Sequence, residues 1–284
     1  MYTRARGGAI HALASSVILL GTGCLEYSPH ALPTDPSERD MHAKAIARLN
    51  ATPPPATLKF ALIGDVQLRF DEARAAVAAA NRIEGLSFVV QLGDFTHVGT
   101  ADEYRLMHET FEELSVPYFV VIGNHDQLGN GRAIYERMFG PVNEAFTFGG
   151  TRFLIVDTNS REVAFDGSVP DLEWLRSRLE GPEAEECTAV ANEAVGREAG
   201  QAPVVMFAHV AADVAEFDAA LAPEQALLLA GGGVRATFHA HEHIWRSGEH
   251  EGVPFHVAGG VEDRAMLVVT QRLDGGLDIE RVGF

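Results

Sequence analysis

The chain has 284 residues and a formal net charge of −18, because 40 acidic residues outnumber 22 basic ones. Hydrophobic residues make up 46% of the sequence, which excludes a chain that is disordered throughout. No apolar stretch reaches the roughly 18 residues of a membrane-spanning helix, which excludes a polytopic membrane protein. The acidic balance argues against a general binder of nucleic-acid phosphates. The acidic balance does not exclude a phosphorylated substrate, because bound metal ions would supply local positive charge.

Residues 1–23 have the pattern of an export signal, with Arg4 and Arg6 before an apolar segment at 9–20. Small residues then lead to Cys24. This ending resembles a bacterial lipobox, in which the lipidated Cys becomes the first mature residue, although Gly21 stands where Leu is usual. The alternatives are ordinary cleavage with an incidental Cys24 and a disulfide between Cys24 and Cys187. We expect an exported protein that is periplasmic or anchored in the outer membrane through a lipid on Cys24.

Residues 24–57 are predicted to be a Pro-rich tether. Six of the 13 prolines fall within 28–57, and three of them are consecutive at 53–55. Consecutive prolines favour extended polyproline geometry, which suits a spacer. One short helix could form at 40–49. The folded domain is therefore expected at 58–284.

Within this domain, apolar runs of strand length alternate with helical patterns. The predicted strands are 60–63, 88–92, 118–122, 153–156, 204–208 and 236–238. The predicted helices are 71–83, 101–114 and 169–179, the last with Ser168 as its N-cap. Such alternation implies sheets that are covered by helices.

Two further segments have a different character. The tail is predicted to form antiparallel strands at 255–258, 266–271 and 277–281, with a turn at 274–276. Residues 180–202 are acidic and poor in strand signal, which favours a solvated insertion.

Polar side chains follow five of the predicted strands. In chain order they are Asp65 and Gln67; Asp94 and His97; Asn124, His125 and Asp126; His209; and His239, His241 and His243. The carboxyl ends of parallel strands converge on one crevice, so these groups are expected to lie close together. Oxygen donors with imidazoles suit Mn, Fe or Zn, whereas the lack of a Cys cluster disfavours a structural zinc site.

The order of these clusters resembles the calcineurin-like metallophosphoesterases over about residues 58–260. The matching motifs are Gly64-Asp65-Val66-Gln67, Gly93-Asp94, Gly123-Asn124-His125-Asp126, His209 and Ala240-His241-Glu242-His243. The resemblance implies an α/β (α+β) fold, a four-layer α/β/β/α sandwich of two mixed sheets flanked by helices. It also implies two divalent or trivalent metal ions side by side.

The resemblance also implies a role for each site residue. Asp65 and His243 would bind the first metal, Asp94 would bridge both, and Asn124, His209 and His241 would complete the second. His125 would protonate the leaving oxygen or steady the phosphoryl group, and Asp126 would orient the site. Two cations can activate a bridging water and neutralise phosphoryl oxygens, and an imidazole suits general acid work near neutral pH.

Two positions depart from the family pattern. Gln67 stands where the family usually has a His ligand, so the first metal is held more loosely or Gln67 binds it directly. Ala240 replaces a Gly, which is a mild change unless the backbone there requires positive φ. His239 is interpreted as structural or supporting. His97 either contacts substrate or has no such role, and residues 157–159 either border the site or form a turn.

The sequence therefore predicts a metal-dependent phosphoesterase that hydrolyses mono- or diesters through a dinuclear centre and a bridging hydroxide. The second motif lacks the ending of eukaryotic Ser/Thr phosphatases and looks more like bacterial phosphodiesterases and acid phosphatases. Expected partners are a phosphorylated small molecule or a phospholipid headgroup, touched by His97, Asn124 and His125. Neither general nucleic-acid binding nor membrane contact beyond the lipid anchor is expected. The alternative is a catalytically impaired, metal-supported binding or scaffold lipoprotein, against which the retention of His125 argues.

Overall fold

The structure is a computed structural model that describes residues 28–194, 202–272 and 275–284. The expected export signal and Cys24 lie outside the described residues. The described α-helices are α1 (Met41–Asn50), α2 (Phe70–Ala80), α3 (Ala101–Phe111), α4 (Gly131–Met138), α5 (Leu172–Leu179), α6 (Pro182–Ala194) and α7 (Ala222–Gly231). Among the described residues, no helix has the length and apolar character needed to cross a membrane.

Eleven strands form in the described part of the chain. They are β1 (Lys59–Ile63), β2 (Phe88–Gln91), β3 (Tyr118–Val120), β4 (Glu144–Phe148), β5 (Thr151–Val156), β6 (Val204–Ala208), β7 (Val234–His239), β8 (Arg246–His250), β9 (Val253–Val257), β10 (Ala265–Gln271) and β11 (Leu277–Gly283). Short 3-10 helices cover Pro36–Glu38, His125–Gln127, Ser160–Val163 and Val261–Asp263.

The strands are arranged in two mixed sheets. The five-stranded sheet has the order β11-β10-β1-β2-β3. Strands β1, β2 and β3 run parallel to one another, and β10 runs antiparallel to both of its neighbours, β1 and β11. The six-stranded sheet has the order β4-β5-β6-β7-β9-β8, in which β5, β6, β7 and β9 are parallel and the two edge strands are antiparallel. Helices connect β1 to β2, β2 to β3, β5 to β6 and β6 to β7, which are the βαβ connections that the sequence predicted, whereas β7 and β9 are joined through β8.

An aromatic core holds the two sheets face to face. Phe60 stacks on Phe88 with ring centroids 5.1 Å apart, and its ring meets the edge of Phe153 from the opposite sheet at 5.7 Å. Alternation along β1 turns Phe60 and Leu62 into this core and Ala61 and Ile63 toward the helices. Both faces of the strand are buried, which is why it reads as a continuous apolar run.

Helices cover the outer faces of both sheets. Helices α2, α3 and α4 pack on the five-stranded sheet through buried residues that include Ala76, Phe111 and Ile134. Helices α5 and α7 pack on the six-stranded sheet through Leu175 and Leu228. The predicted α/β/β/α sandwich is thereby confirmed.

Helix starts follow local capping chemistry. Thr100 and Glu103 form a capping box at the start of α3, because the Thr100 side chain accepts from Glu103 N and the Glu103 side chain accepts from Thr100 N. The N-cap of α5 is Asp171, which accepts from Trp174 N at 2.9 Å. The prediction of Ser168 as this cap is wrong, since Ser168 instead donates to Asp166 in the preceding turn.

Part of the segment expected to be a tether is packed into the domain. The short helix foreseen within it is α1, and its buried residues Ala45 and Leu49 belong to the core between the sheets. His42 is fully buried, and its Nε2 accepts a hydrogen bond from Val120 N at 3.1 Å. Apolar residues on one face of α1 close an edge of the core, so this stretch is not a free spacer.

The acidic stretch at 180–202 also differs from the expected insertion. It forms α6 over Pro182–Ala194, and residues 195–201 lie outside the described residues. Ala184 and Ala191 are buried, and the helix contacts β4 and β5. The acidic residues obscure a helix whose small side chains permit close packing.

His42 should make the stability of the domain pH-dependent. Burial lowers the pKa of His42 from 6.5 to about 3, so below pH 6.5 a proton binds the unfolded chain but not the folded one. The free energy of unfolding therefore falls as pH drops from 6.5 toward 3. His42→Gln, which keeps an acceptor for Val120, should remove about 1.4 kcal/mol of this loss per pH unit.

Urea unfolding at several pH values between about 6 and 4 measures this slope. The exposed His30 provides the matched control, and His30→Gln should keep the wild-type slope. Equal slopes for His42→Gln and wild type would contradict the burial of a neutral ring.

Candidate metal centre

The predicted site residues converge at the carboxyl ends of β1, β2, β3, β6 and β7. The structure brings together all of the residues that the sequence assigned to metal binding. They are Asp65, Gln67, Asp94, Asn124, His209, His241 and His243. Each follows the last residue of its strand by one to four positions, where the side chains turn into the crevice.

Two glycines allow the loops to approach one another. A Cβ on Gly93, whose φ is +99°, would lie 2.3 Å from His209 Nδ1. A Cβ on Gly123 would lie 2.1 Å from Asp94 N. The Gly that precedes each ligand in these motifs therefore keeps space for the ligand of a neighbouring loop.

Asp65, Asp94 and His209 form the buried centre of the site. Their ligand atoms all lie within 4.8 Å of one another. Asp65 and His209 are fully buried, and Asp94 is 2% exposed. Asp65 Oδ2 accepts from His241 N at 3.1 Å, whereas Asp65 Oδ1 has no hydrogen-bond partner among residues 28–194, 202–272 and 275–284. A buried carboxylate oxygen without a partner is costly in free energy unless a cation binds it.

The tautomer of His209 is set by the backbone. His209 Nδ1 donates to Leu92 O at 2.8 Å, so the Nε2 lone pair faces the crevice. Three oxygens surround Nε2: Asn124 Oδ1 at 3.1 Å, Asp94 Oδ1 at 3.3 Å and Asp65 Oδ1 at 3.9 Å. Lone pairs that face one another at these distances repel, so the arrangement requires a proton or a metal ion among them.

Charge compensation dominates the electrostatics of this centre. Burial raises the pKa of Asp65 to about 7, helped by the charge of Asp94 and opposed by the neighbouring imidazoles. Burial lowers the pKa of His209, but the carboxylates of Asp94 and Asp65 more than reverse this and raise it to about 10. Without a metal ion, the positive charge beside these carboxylates comes from a proton on His209. A bound metal cation would take the place of that proton.

Asn124 and His241 extend the centre to one side. His241 Nδ1 lies 3.0 Å from Asn124 Oδ1, and its Nε2 lies 3.9 Å from Glu216 Oε2. Glu216 also pairs with Arg161 at 3.6 Å. The sequence reasoning missed Glu216, because no motif contains it.

His243 extends the centre to the other side. Its Nε2 lies 3.6 Å from Asp65 Oδ1, and its Nδ1 hydrogen-bonds Glu262 Oε1 at 2.6 Å. Glu262 pairs in turn with Arg69 at 3.3 Å. Glu262 was also missed, since it lies in the short helix Val261–Asp263, outside the five clusters.

Gln67 lies in the crevice at the position where the family usually has His. Its Nε2 donates to Asp94 Oδ2 at 3.4 Å. Its backbone N donates to Asp94 O at 3.0 Å. In this arrangement the amide presents a donor to the carboxylate, so Gln67 orients Asp94.

His125 lies at the mouth of the site. Its Nδ1 donates to His97 O at 2.6 Å, and its Nε2 is 4.0 Å from Asp94 Oδ2. The exposed ring of His97 stacks on the His125 ring with centroids 5.3 Å apart. His97 therefore supports His125 through both its backbone and its ring.

Asp126 braces the loops that follow β2 and β3. Its carboxylate is fully buried and accepts from Phe95 N, Thr96 N, Thr96 Oγ1 and Gly123 N at 2.7 to 3.1 Å. Burial raises the pKa of Asp126 to about 6, and these hydrogen bonds oppose the rise. The resemblance implied that Asp126 orients the site, and its buried carboxylate holds together the loops that carry Asp94 and Asn124.

The remaining candidates lie next to the site. His239 is buried and hydrogen-bonds Thr237, which agrees with a structural role. Ala240 does not have positive φ, whereas the adjacent His241 does, at 73°, so Ala is tolerated in place of Gly. Asn159 donates to Ile122 O at 2.9 Å and thereby ties residues 157–159 to the end of β3.

Buried carboxylates, an amide oxygen and imidazoles at the ends of parallel strands define the class of metal-dependent hydrolases. Within that class, the sequence profile described as calcineurin-like phosphoesterase matches residues 58–245, which is more than half of the chain. The protein belongs to the calcineurin-like phosphoesterase family. The predicted enzyme class, a hydrolase acting on phosphoester bonds, is confirmed at the level of the family.

Two curated proteins are similar in sequence to part of this chain. Tartrate-resistant acid phosphatase type 5 of Rattus norvegicus is 35% identical over 100 residues, which cover 28% of this chain and 30% of that protein. A probable glycerophosphodiester phosphodiesterase GpdQ of Arcobacter nitrofigilis is 44% identical over 100 residues, which cover 32% of this chain and 36% of that protein. The chain thus matches only about a third of the length of each.

Solved structures share the fold at low sequence identity. The purple acid phosphatase PPD1 from yellow lupin, Lupinus luteus, has a TM-score of 0.57 at 13% identity, covering 80% of this chain and 52% of that one. GAP50 of Plasmodium has a TM-score of 0.57 at 14% identity, covering 81% of this chain and 85% of that one.

The brace at Asp126 leads to a stability prediction. Asp126→Asn puts an amide NH₂ where backbone N–H groups now donate, so two donors would face each other in a buried position. The free energy of unfolding should fall by about 3 kcal/mol. Urea unfolding in chelator measures the loss without a contribution from metal binding.

The control for this variant is Asp166→Asn. Asp166 is exposed, and within the described residues its side chain accepts hydrogen bonds from nearby Ser168 alone. Its replacement should cost less than about 1 kcal/mol. Equal losses in the two variants would show that Asp126 does not brace the loops.

Proposed function

We propose that this protein hydrolyses phosphate monoesters or diesters at a centre of two metal ions. The observation that carries the proposal is the buried, partnerless Asp65 Oδ1, which faces Nε2 of both His209 and His243. The donor set of carboxylate, amide oxygen and imidazole fits Mn, Fe or Zn.

The ligands divide into two overlapping groups around Asp94. Asp65, Asp94 and His243 would hold the first ion. Asp94, Asn124, His209 and His241 would hold the second. When bound, a pair of ions would provide a nucleophilic hydroxide between them and neutralise the phosphoryl oxygens of the substrate.

His125 would deliver a proton to the leaving oxygen. Because Nδ1 donates to His97 O, the nitrogen that would transfer a proton is Nε2, which lies 4.0 Å from Asp94 Oδ2, and the ring must carry a proton on both nitrogens to do so. The hydrogen bond from His125 N to Asp94 Oδ1, at 3.0 Å, fixes the residue next to the shared carboxylate. Stacking by His97 limits rotation of the ring, and Asn124, His97 and His125 together border the position of the substrate.

The proposed substrate is a phosphorylated small molecule or a phospholipid headgroup. The curated relatives include proteins named as an acid phosphatase and as a glycerophosphodiester phosphodiesterase, which supports testing both ester types. The net charge of −18 makes a long polyanion unfavourable as a substrate.

The main test uses Mn²⁺-loaded protein with glycerol 3-phosphate and glycerophosphocholine, a monoester and a diester whose alkoxide leaving groups need a proton. His125→Ala should lower kcat by about 10²–10⁴-fold, because the leaving oxygen loses its proton donor. Metal content should stay at the wild-type value, since the His125 side chain contacts no proposed metal. His250→Ala, on β8, is the control and should keep full activity.

Two results would count against the proposal. Asp94→Ala should abolish turnover, because it removes the shared ligand, and full activity in this variant would overturn the assignment. Wild-type protein that binds two ions but hydrolyses no phosphoester would favour the alternative, a metal-supported binding or scaffold protein.

We also propose that the protein is exported and anchored by a lipid on Cys24, on the basis of residues 1–24 alone. Cys24→Ser should move the protein from the membrane fraction to the soluble fraction of the bacterial envelope. Immunoblots of the two fractions measure this shift. An unchanged membrane fraction would contradict lipidation.

A further inference from the structure

We propose that Glu262, held by Arg69, is a positioning residue that fixes His243 for the first metal and compensates for Gln67 in place of a His ligand. The inference rests on the proposed function, because it assumes that the site binds metal. It concerns two side chains outside the five sequence clusters.

Glu262 determines which nitrogen of His243 faces the centre. The 2.6 Å contact between His243 Nδ1 and Glu262 Oε1 requires a proton on Nδ1. The Nε2 lone pair is then directed toward the partnerless Asp65 Oδ1, 3.6 Å away. A carboxylate behind a histidine ligand fixes both its tautomer and its ring orientation.

The turn that carries Glu262 is built around this contact. A Cβ on Gly260 would lie 2.2 Å from Glu262 Oε2, so a side chain at this position would displace the carboxylate from its present place. Val261 N donates to Asp65 O at 2.9 Å. Asp263 accepts from Trp245 Nε1, two residues after His243. The turn is thus tied both to Asp65 and to the loop of His243.

Arg69 links the same carboxylate to the first motif. Its Nε lies 3.3 Å from Glu262 Oε2, and its backbone N donates to Val66 O at 2.9 Å. Arg69 therefore spans from the loop of Gln67 to the turn of Glu262. The loop that carries Gln67 in place of a His ligand therefore also supplies Arg69. Arg69 holds Glu262, and Glu262 in turn supports His243.

At the other metal position, the carboxylate beside His241 stands farther from the imidazole. Glu216 approaches His241 Nε2 only to 3.9 Å, which is beyond hydrogen-bond distance. That position has the side chains of Asn124 and His209 beside His241, whereas the first position has one imidazole. Glu262, the closer of the two carboxylates, thus supports the first metal position, which has fewer imidazole ligands than the second.

The test is a Mn²⁺ titration of the full chain by calorimetry, with metal content measured after dialysis. Glu262→Gln should weaken one of two Mn²⁺ sites by about 10–100-fold, the range known for partners behind metal ligands. Arg69→Gln should weaken the same site to a smaller extent. The matched control Glu216→Gln removes the same charge and should change either affinity by less than about threefold, because its contact is too long for a hydrogen bond.

Rescue separates positioning from a general loss of structure. Adding Gln67→His to Glu262→Gln should restore the weakened site, because a second imidazole replaces the lost support. Circular dichroism in chelator should be unchanged in every variant. Wild-type affinity for both ions in Glu262→Gln would overturn the inference, and so would equal weakening by Glu262→Gln and Glu216→Gln. Failure of the wild-type protein to bind Mn²⁺, Zn²⁺ or Fe²⁺ would instead overturn the proposed metal centre itself.

Discussion

The structure depends on one electrostatic constraint, which is the burial of Asp65 and Asp94 beside His209. Two carboxylates within 4.8 Å of an imidazole, all shielded from water, are stable only when a cation compensates them. The loops around them serve this need: Leu92 O sets the tautomer of His209, and Asp126 braces the turns on which Asp94 and Asn124 stand. Bringing these polar side chains together in a buried position therefore lowers the folding stability of the protein.

The backbone is also strained at the residues of this centre. Gln67, Asp94, His241 and His243 all have positive φ, between 41° and 73°. Residues other than Gly rarely adopt this conformation, and it persists where the surrounding structure over-determines it. Here the aromatic core and the covering helices hold the strand ends rigidly, so short loops can turn the side chains into a shared crevice. An acidic chain can in this way present a cationic site once metal is bound.

The sequence predicted the buried parallel strands well, because strands that are covered on both faces read as apolar runs. It missed the edge strands β4 (Glu144–Phe148) and β8 (Arg246–His250), which are largely exposed or half-buried and lack such runs. It also predicted α1 as a short helix in a tether, without its packing on the domain, and it treated the segment of α6 as a solvated insertion. The buried faces of those helices consist of a few small or apolar residues among charged ones, which composition does not reveal.

For the site, the sequence by itself determined which polar side chains meet and in what order they occur along the chain, because side chains that follow parallel strands converge on a common crevice. Only the tertiary structure decided their partners. Glu216 and Glu262 carry no motif, and they reach His241 and His243 solely through packing between loops far apart in sequence. The same packing places the Asp126 carboxylate between the loops that follow β2 and β3, where it braces both. Long-range contacts of single polar residues leave no local pattern, and this is why they had to be read from the fold.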